Sequence, residues 1–104
     1  MTNETATDLT CAKIIAEQIG KQALFMLGAK DLVGDRKSLA FRIRGCRRIN
    51  KIRITLDPSD TYTVEFFKII RRGFTCERVK WIDGVYNDML CEVIENATGL
   101  RTSL

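Results

Sequence analysis

The chain has 104 residues, of which 45% are hydrophobic and 29% are charged, and its formal net charge is +4. This length and composition predict one folded domain, 1–104, and exclude a wholly disordered chain. No apolar run approaches the roughly 18 residues that span a bilayer, and the first residues lack the basic and apolar segments of a secretory signal. We therefore expect a cytoplasmic protein with no membrane partner, in which residues 1–7 are disordered.

The first predicted element is an amphipathic helix that follows Asp8. Its apolar residues recur at helical spacing and form one face. Asp8 is the expected N-terminal cap. Gly20 is the expected end, because glycine accepts the left-handed conformation that follows many helices. The residues of the apolar face are Leu9, Ala12, Ile15, Ala16 and Ile19.

A short apolar run at 23–27 follows, between Gly20 and Gly28. Its length fits a buried strand and also a short helix, so periodicity leaves both open. The two bracketing glycines favour the strand. Residues 29–37 are rich in turn-forming residues and predict a loop or a long hairpin connection.

Strict alternation of apolar and polar residues predicts two half-buried strands, at 39–44 and 51–56. Residues 57–60, with the sequence Asp-Pro-Ser-Asp, predict the turn that follows, because proline presets one backbone dihedral and aspartate bonds its own backbone. The residues expected to face the core are Leu39, Phe41, Ile43, Ile52, Ile54 and Leu56. Those expected on the opposite face are Arg42, Arg44, Lys51, Arg53 and Thr55.

Two further strands are predicted at 61–70 and 74–82, separated by Gly73. The apolar residues of the first strand change parity after Phe66, which either a β-bulge or a strand covered on both faces would explain. In the second strand, Val79 and Trp81 are expected to point inward.

A continuous apolar stripe from Val85 to Ala97 predicts a C-terminal helix, with Asp83 as its cap and Gly99 at its end. Short connections between the strands imply antiparallel pairing. The predicted fold class is therefore α+β. It is an antiparallel β-meander of four to five strands with an N-terminal and a C-terminal helix packed on one face.

The chain offers little catalytic chemistry. It contains no histidine, which excludes the Ser-His-Asp and Cys-His arrangements within this chain. Cys11, Cys46, Cys76 and Cys91 include no Cys-x-x-Cys pair, so no zinc site is predicted. We interpret three of them as core residues, whereas Cys46, beside arginines, fits either a loop residue or a reactive thiol. We expect no enzymatic activity, no metal and no cofactor.

The positive charge is concentrated in one segment. Residues 36–56 contain eight basic residues and no acidic residue, whereas the rest of the chain contains nine basic and thirteen acidic residues. If the strands of this segment pair, they present a basic sheet face, which attracts phosphate backbone through counterion release. The candidate contact residues, for nucleic acid or for an acidic protein surface, are Arg42, Arg44, Arg47, Arg48, Lys51 and Arg53.

The same charges also fit a solvated outer face that is partly neutralised by acids such as Glu65 and Glu77. Interleaved aromatic residues would favour nucleic acid, because proteins that bind single strands stack bases on them. Only Phe67 and Tyr62 are expected near this face. The chain has no RNP1 or helix-turn-helix pattern, so contact with the backbone is predicted without base-specific readout.

Most of the chain after residue 20 resembles a group of short, uncharacterised proteins of bacteriophages, prophages and plasmids. The resemblance implies an accessory protein of a mobile element, a DNA-metabolism protein or an inhibitor of host defence, and it transfers no functional residues. The segments that carry it are Gly28 to Lys30, Ser38 to Arg44, Ile49 to Leu56, Asp60 to Phe66, Gly84 to Leu90 and Thr98 to Leu104.

The leading hypothesis is thus a non-enzymatic mobile-element protein that binds nucleic-acid phosphate through its basic sheet face. The alternative is a protein-binding inhibitor of a host defence complex, such as an anti-CRISPR-like factor, that occupies a nucleic-acid-binding or partner surface. A third alternative is a subunit of a larger assembly, in which an exposed edge strand pairs across a homodimer.

Overall fold

The computed structural model describes residues 9–70, 75–100 and 102. Two helices come first within these residues, five strands follow, and a helix stands near the end. The elements are α1 (Thr10–Ile19), α2 (Lys21–Met26), β1 (Lys30–Gly34), β2 (Ser38–Arg42), β3 (Lys51–Leu56), β4 (Tyr62–Ile70), β5 (Thr75–Val85), a 3₁₀ turn (Asn87–Met89) and α3 (Leu90–Thr98).

The five strands form one antiparallel sheet in the order β1-β2-β3-β4-β5, so each strand lies beside its neighbours in the chain. The predicted α+β fold class is confirmed. The turn at 57–60 also forms, and the Asp60 amide donates to the Asp57 carbonyl at 3.0 Å. Asp60 has a φ of 63°, a conformation that aspartate adopts more readily than most residues.

The helices cover one face of the sheet, which we call the covered face. Alternate residues of β2, β3 and β4 are buried there, as predicted, and Leu56 is half-buried. They pack against apolar residues of α1 and α3. Burial of side chains of this size stabilises the fold by about 1.5–3 kcal/mol each. The largest fully buried side chains are Phe41, Phe66, Ile15, Leu27, Ile52, Ile54, Leu90 and Ile94.

Tyr62 is the polar exception on the covered face. Its ring is buried, and its hydroxyl donates to Gln18 Oε1 at 2.7 Å. Burial raises the pKa of the Tyr62 phenol above its ordinary value, and electrostatic interaction with Cys11 adds to the rise. The phenol therefore belongs to the core as a neutral group with a satisfied donor.

The expected strand at 23–27 is wrong, because these residues belong to α2 and the turn after it. Ala23 and Leu27 are one helical turn apart and both are buried, whereas Phe25 is 85% exposed. A strand would have placed all three side chains on one face. Only Ala23 and Leu27 are buried, and a helix places these two side chains on one face while Phe25 points to solvent.

The expected loop at 29–37 contains the edge strand β1. The pairing of β1 with β2 is irregular between Lys30 and Val33, and Asp31 has a φ of 55°. Asp31, one of the residues that suggested a loop, therefore lies in a bulge of an edge strand, which is a common place for one.

The predicted C-terminal helix begins later than expected. Val85 is the last residue of β5 and pairs with Tyr62, and Tyr86 is 60% exposed. The pairing of β4 with β5 is irregular beside Gly84, whose φ is 67°. Asp83, the predicted helix cap, lies within β5 at this bulge, so that prediction is wrong. Gly99 ends α3 with a φ of 74°, as predicted.

The expectation that Val79 and Trp81 point inward is wrong. The register places Phe66 opposite Lys80 and Phe67 opposite Arg78, so Val79 is an extra residue in β5. Trp81 consequently pairs with Glu65, on the face opposite the core. Four predictions concern positions outside the described residues. They are the helix cap at position 8, the disorder of residues 1–7, the separation of two strands at Gly73 and the start of a strand at position 74.

Candidate nucleic-acid interface

The sheet face opposite the core bears no described helix, and we call it the open face. Antiparallel partners lie directly opposite each other, so residues on successive strands form rows across it. The two central rows combine basic and aromatic residues. One row is Lys30, Arg42, Lys51, Phe67 and Arg78, and the other is Val33, Ala40, Arg53, Glu65 and Trp81.

Glu65 lies at the centre of the open face and joins two arginines. Its side chain is only 10% exposed. Arg53 Nε donates to Glu65 Oε1 at 2.9 Å, and a second guanidinium nitrogen, Nη2, lies 2.8 Å from the same oxygen. Arg78 Nη1 donates to Oε2 at 3.1 Å. Charge-assisted bonds of this kind compensate the desolvation of the buried carboxylate.

The aromatic rings of the open face lie against these cations. The Arg78 guanidinium carbon is 4.1 Å from the centroid of the Trp81 ring. Arg53 and Lys51 lie 5.3 Å and 5.7 Å from the centroid of Phe67. Each contact is worth about 0.5–1 kcal/mol at an exposed site. The rings and Glu65 therefore hold Arg53 and Arg78 in defined positions.

Arg42 and Lys51 line a shallow groove of about 340 Å³ on the β1 side of the open face. Arg42 Nη1 lies 3.8 Å from the exposed carboxylate of Asp31, at the limit of an ion pair. Its Nε is buried and has no hydrogen-bond acceptor within the described residues. This unpaired donor therefore lies beneath the surface of the groove.

The six predicted contact residues separate into two groups. Arg42, Lys51 and Arg53 share the open face, as predicted from alternation. Arg44 was expected on the same face in a strand 39–44, but β2 ends at Arg42, and the Arg44 amide donates to the Leu27 carbonyl instead of to a strand. A Cβ at Gly28 would lie 3.2 Å from Arg44 Cβ, so the stem of Arg44 packs over the end of α2.

Arg47 and Arg48 are exposed in the β2–β3 connection. The Arg47 carbonyl accepts from Lys68 Nζ at 2.6 Å. Arg48 borders a small depression with Lys80 and the end of α3. These two arginines therefore lie at one end of the molecule, and neither belongs to the two central rows.

Sequence reasoning missed three residues of the open face: Lys30, Arg78 and Trp81. Lys30 was assigned to a loop. Arg78 and Trp81 are three residues apart, which places them on opposite faces of a regular strand. The extra residue in β5 brings both to the same face, and no pattern in the sequence marks that bulge.

The open face carries an excess of positive charge. Its two central rows contain five basic side chains and one acidic side chain, Glu65. Glu77, which was expected to help neutralise it, pairs with Lys68 in the register instead. The Arg53–Glu65–Arg78 network leaves one net positive charge. Lys30, Arg42 and Lys51 add to it on the β1 side, where Asp31 and Asp35, which line the groove, offset part of this charge.

The remaining candidate sites show little chemistry. Cys11, Cys46 and Cys91 are half-buried against the core, whereas Cys76 is exposed, so its expected core position is wrong. Among the described residues no group of three or more metal-ligating side chains converges. No helix in the described ranges has the length and apolar character needed to cross a membrane.

Comparisons of the chain with protein-family models, curated proteins and solved structures found no match.

Proposed function

We propose that the chain is a non-enzymatic binding protein that contacts the phosphate backbone of nucleic acid with the open face of its sheet. The observation that carries the proposal is the pair of central rows, in which five basic side chains accompany a single acidic one. Phosphate contact releases condensed counterions from the nucleic acid, and this release supplies most of the affinity of non-specific binding.

The groove beside Arg42 and Lys51 supports the same proposal. Lys51 forms no ion pair within the described residues, and Arg42 has only the distant Asp31. A phosphate that approached these side chains would meet the Lys51 ammonium and an Arg42 guanidinium whose one ion pair is long. The unpaired Arg42 Nε is buried and is not part of this contact. The resemblance to short proteins of mobile elements is the basis for proposing an accessory role in such an element.

The test uses labelled single-stranded and duplex oligonucleotides in a salt series. The variant is the double substitution Arg42→Glu and Lys51→Glu. Arg53 is a poorer choice for charge reversal, because a carboxylate there would face the buried Glu65 and destabilise the fold, whereas the Asp31 that faces position 42 is 62% exposed. Positions 42 and 51 are cross-strand partners, so circular dichroism checks that the variant with two opposed carboxylates is folded. The control is Lys13→Glu with Lys21→Glu, which changes the net charge equally at two exposed helical positions.

We expect the parent to bind at low salt and to weaken steeply as salt rises, the open-face variant to lose that binding, and the helical control to retain most of it. Equal losses in both variants would show that only net charge matters and would overturn the proposed surface. No binding by the parent at low salt would overturn nucleic-acid binding itself and direct the search to the alternative, an acidic protein partner.

A further inference from the structure

We infer that the open face selects single-stranded nucleic acid, with bases stacked on Trp81 and phosphates held by Arg42 and Lys51. This inference rests on the proposed function. It adds that the ligand is single-stranded and that two sides of the open face bind different parts of it. The β1–β3 side holds the backbone, and the β4–β5 side holds the bases.

Trp81 is the first observation that supports stacking. It is the only tryptophan in the chain and is 54% exposed. About half of a large, mainly apolar side chain is therefore left in water beside the charged residues, on the edge strand β5. Base stacking on such a ring is worth roughly a factor of 5 to 150 in affinity per base and tolerates any sequence.

Arg78 lies over the Trp81 ring, so a base can stack on the outer side of the guanidinium or on the part of the indole that Arg78 leaves open. Its guanidinium lies 4.1 Å from the indole centroid and is fixed by Glu65 at 3.1 Å. Bases stack on guanidinium planes as well as on aromatic rings. The tether to Glu65 means that little rotamer freedom is lost when a base binds. Arg78 and Trp81 together form a stacking surface that is already ordered.

Glu65 explains why bases and phosphates occupy different sides. Its carboxylate offsets one of the two guanidiniums that contact it, so the β4–β5 side has less excess charge than the β1–β3 side. A phosphate is favoured near Lys30, Arg42 and Lys51, and a neutral base is favoured over Trp81. A strand lying across the sheet meets both sides.

Phe67 has a different role on the open face. Its side chain is half-buried, whereas Trp81 is 54% exposed, so less of Phe67 is available to a base. The Phe67 ring lies against Lys51 and Arg53. We assign Phe67 as a positioning residue for these two cations. Duplex DNA can contact the cations, but its paired and stacked bases cannot reach Trp81. The open face therefore distinguishes single strands from duplex through Trp81.

The first experiment follows the fluorescence of Trp81, which is the sole tryptophan and so reports on this position alone. Oligothymidylate, oligouridylate and a hairpin duplex are titrated into the parent protein. We expect saturable quenching by the single strands at the affinity measured by anisotropy, and little quenching by the hairpin. The DNA and RNA arms show which backbone binds more tightly. Binding of single strands without any change in emission would overturn the inference.

The second experiment separates bases from phosphates by using an abasic oligonucleotide of the same length and charge. We expect the parent to bind it about 5- to 150-fold more weakly than oligothymidylate. Trp81→Ala is expected to lose the same factor for oligothymidylate and almost nothing for the abasic strand. Trp81→Phe should recover part of the loss, because phenylalanine also stacks.

Phe25→Ala is the matched control, since Phe25 is the most exposed large apolar residue described and lies on α2. It should leave all affinities unchanged. Equal affinity of the parent for the abasic and normal strands would overturn the stacking inference. The proposed function would survive that result if the Arg42→Glu, Lys51→Glu variant still lost binding. Absence of binding to every oligonucleotide would overturn both.

Discussion

Phe66 and Phe67 are neighbours in β4, yet they belong to different environments. Phe66 is fully buried on the covered face, whereas Phe67 is half-buried on the open face beneath two cations. The covered face is held together by apolar packing in a closed interior. The open face consists of charges and rings that partly satisfy one another. Strand alternation thus lets one sheet combine a core with a binding surface.

The largest expected difference between the faces comes from truncating these two neighbours. Phe66→Ala should reduce the free energy of unfolding by about 3–5 kcal/mol, because it opens a cavity in the core. Phe67→Ala should reduce it by about 1–2 kcal/mol, because the site is partly open to solvent. Urea unfolding of both variants measures the difference. Equal losses would mean that the open face is as tightly packed as the core.

Glu65→Gln is expected to lower the stability of the fold and to strengthen binding, so it separates these two properties of the open face. The amide cannot bond both arginines as the carboxylate does, so we expect a loss of about 1.5–3 kcal/mol in stability. The same change frees one positive charge and should strengthen oligonucleotide binding. Glu92→Gln, at an exposed position on α3, removes the same charge as a control. Weaker binding by folded Glu65→Gln would contradict the assigned role of the network.

Adding one heavy atom to each face of the sheet is expected to change the stability less than Phe66→Ala does. A Cβ at Gly34 would lie 2.9 Å from Ala12 Cβ and 2.9 Å from a methyl of Leu9. Gly34→Ala should therefore cost about 1–3 kcal/mol through overpacking against α1. Ala40→Ser, on the open face, should change stability by less than about 0.5 kcal/mol. Thermal unfolding of the two variants tests the contrast, which a neutral Gly34→Ala would refute.

The smallest expected effect is a pH dependence that arises on the covered face. Because burial raises the pKa of the Tyr62 phenol, the folded state retains the phenol proton at a pH where the unfolded chain releases it. The stabilisation is complete below the ordinary tyrosine pKa of about 10 and is lost as pH rises through the raised value. Tyr62→Phe should unfold with a shallower pH dependence above about pH 10. An unchanged dependence would count against this assignment.

Alternation predicted the part of the fold where one side of a strand is buried. In β2 and β3 the apolar residues recur at every second position, so their faces follow directly from the sequence. The helix at 23–27 did not follow, because the core has room for Ala23 and Leu27 but not for Phe25. Packing against the rest of the chain therefore determines the helix, and the pattern of a five-residue run does not reveal that packing.

Only half of the candidate site could be predicted from the sequence. Arg42, Lys51 and Arg53 lie in regular strands and were placed on one face from their spacing alone. Trp81 and Arg78 reach that face through the extra residue at Val79. A single inserted residue reverses the parity of everything after it. The bulge depends on how β5 fits β4, and the aromatic half of the surface was therefore missed.

The most direct test of the open face as a phosphate-binding surface is the slope of log affinity against log salt for a single-stranded oligonucleotide. Each phosphate contact contributes about 0.7 to that slope. Arg42→Ala and Lys51→Ala should each reduce the slope by about 0.7, and Lys13→Ala, on α1, should leave it unchanged. Slopes that are identical in all four proteins would contradict the account, because they would show that the cations of the open face make no contact with phosphate.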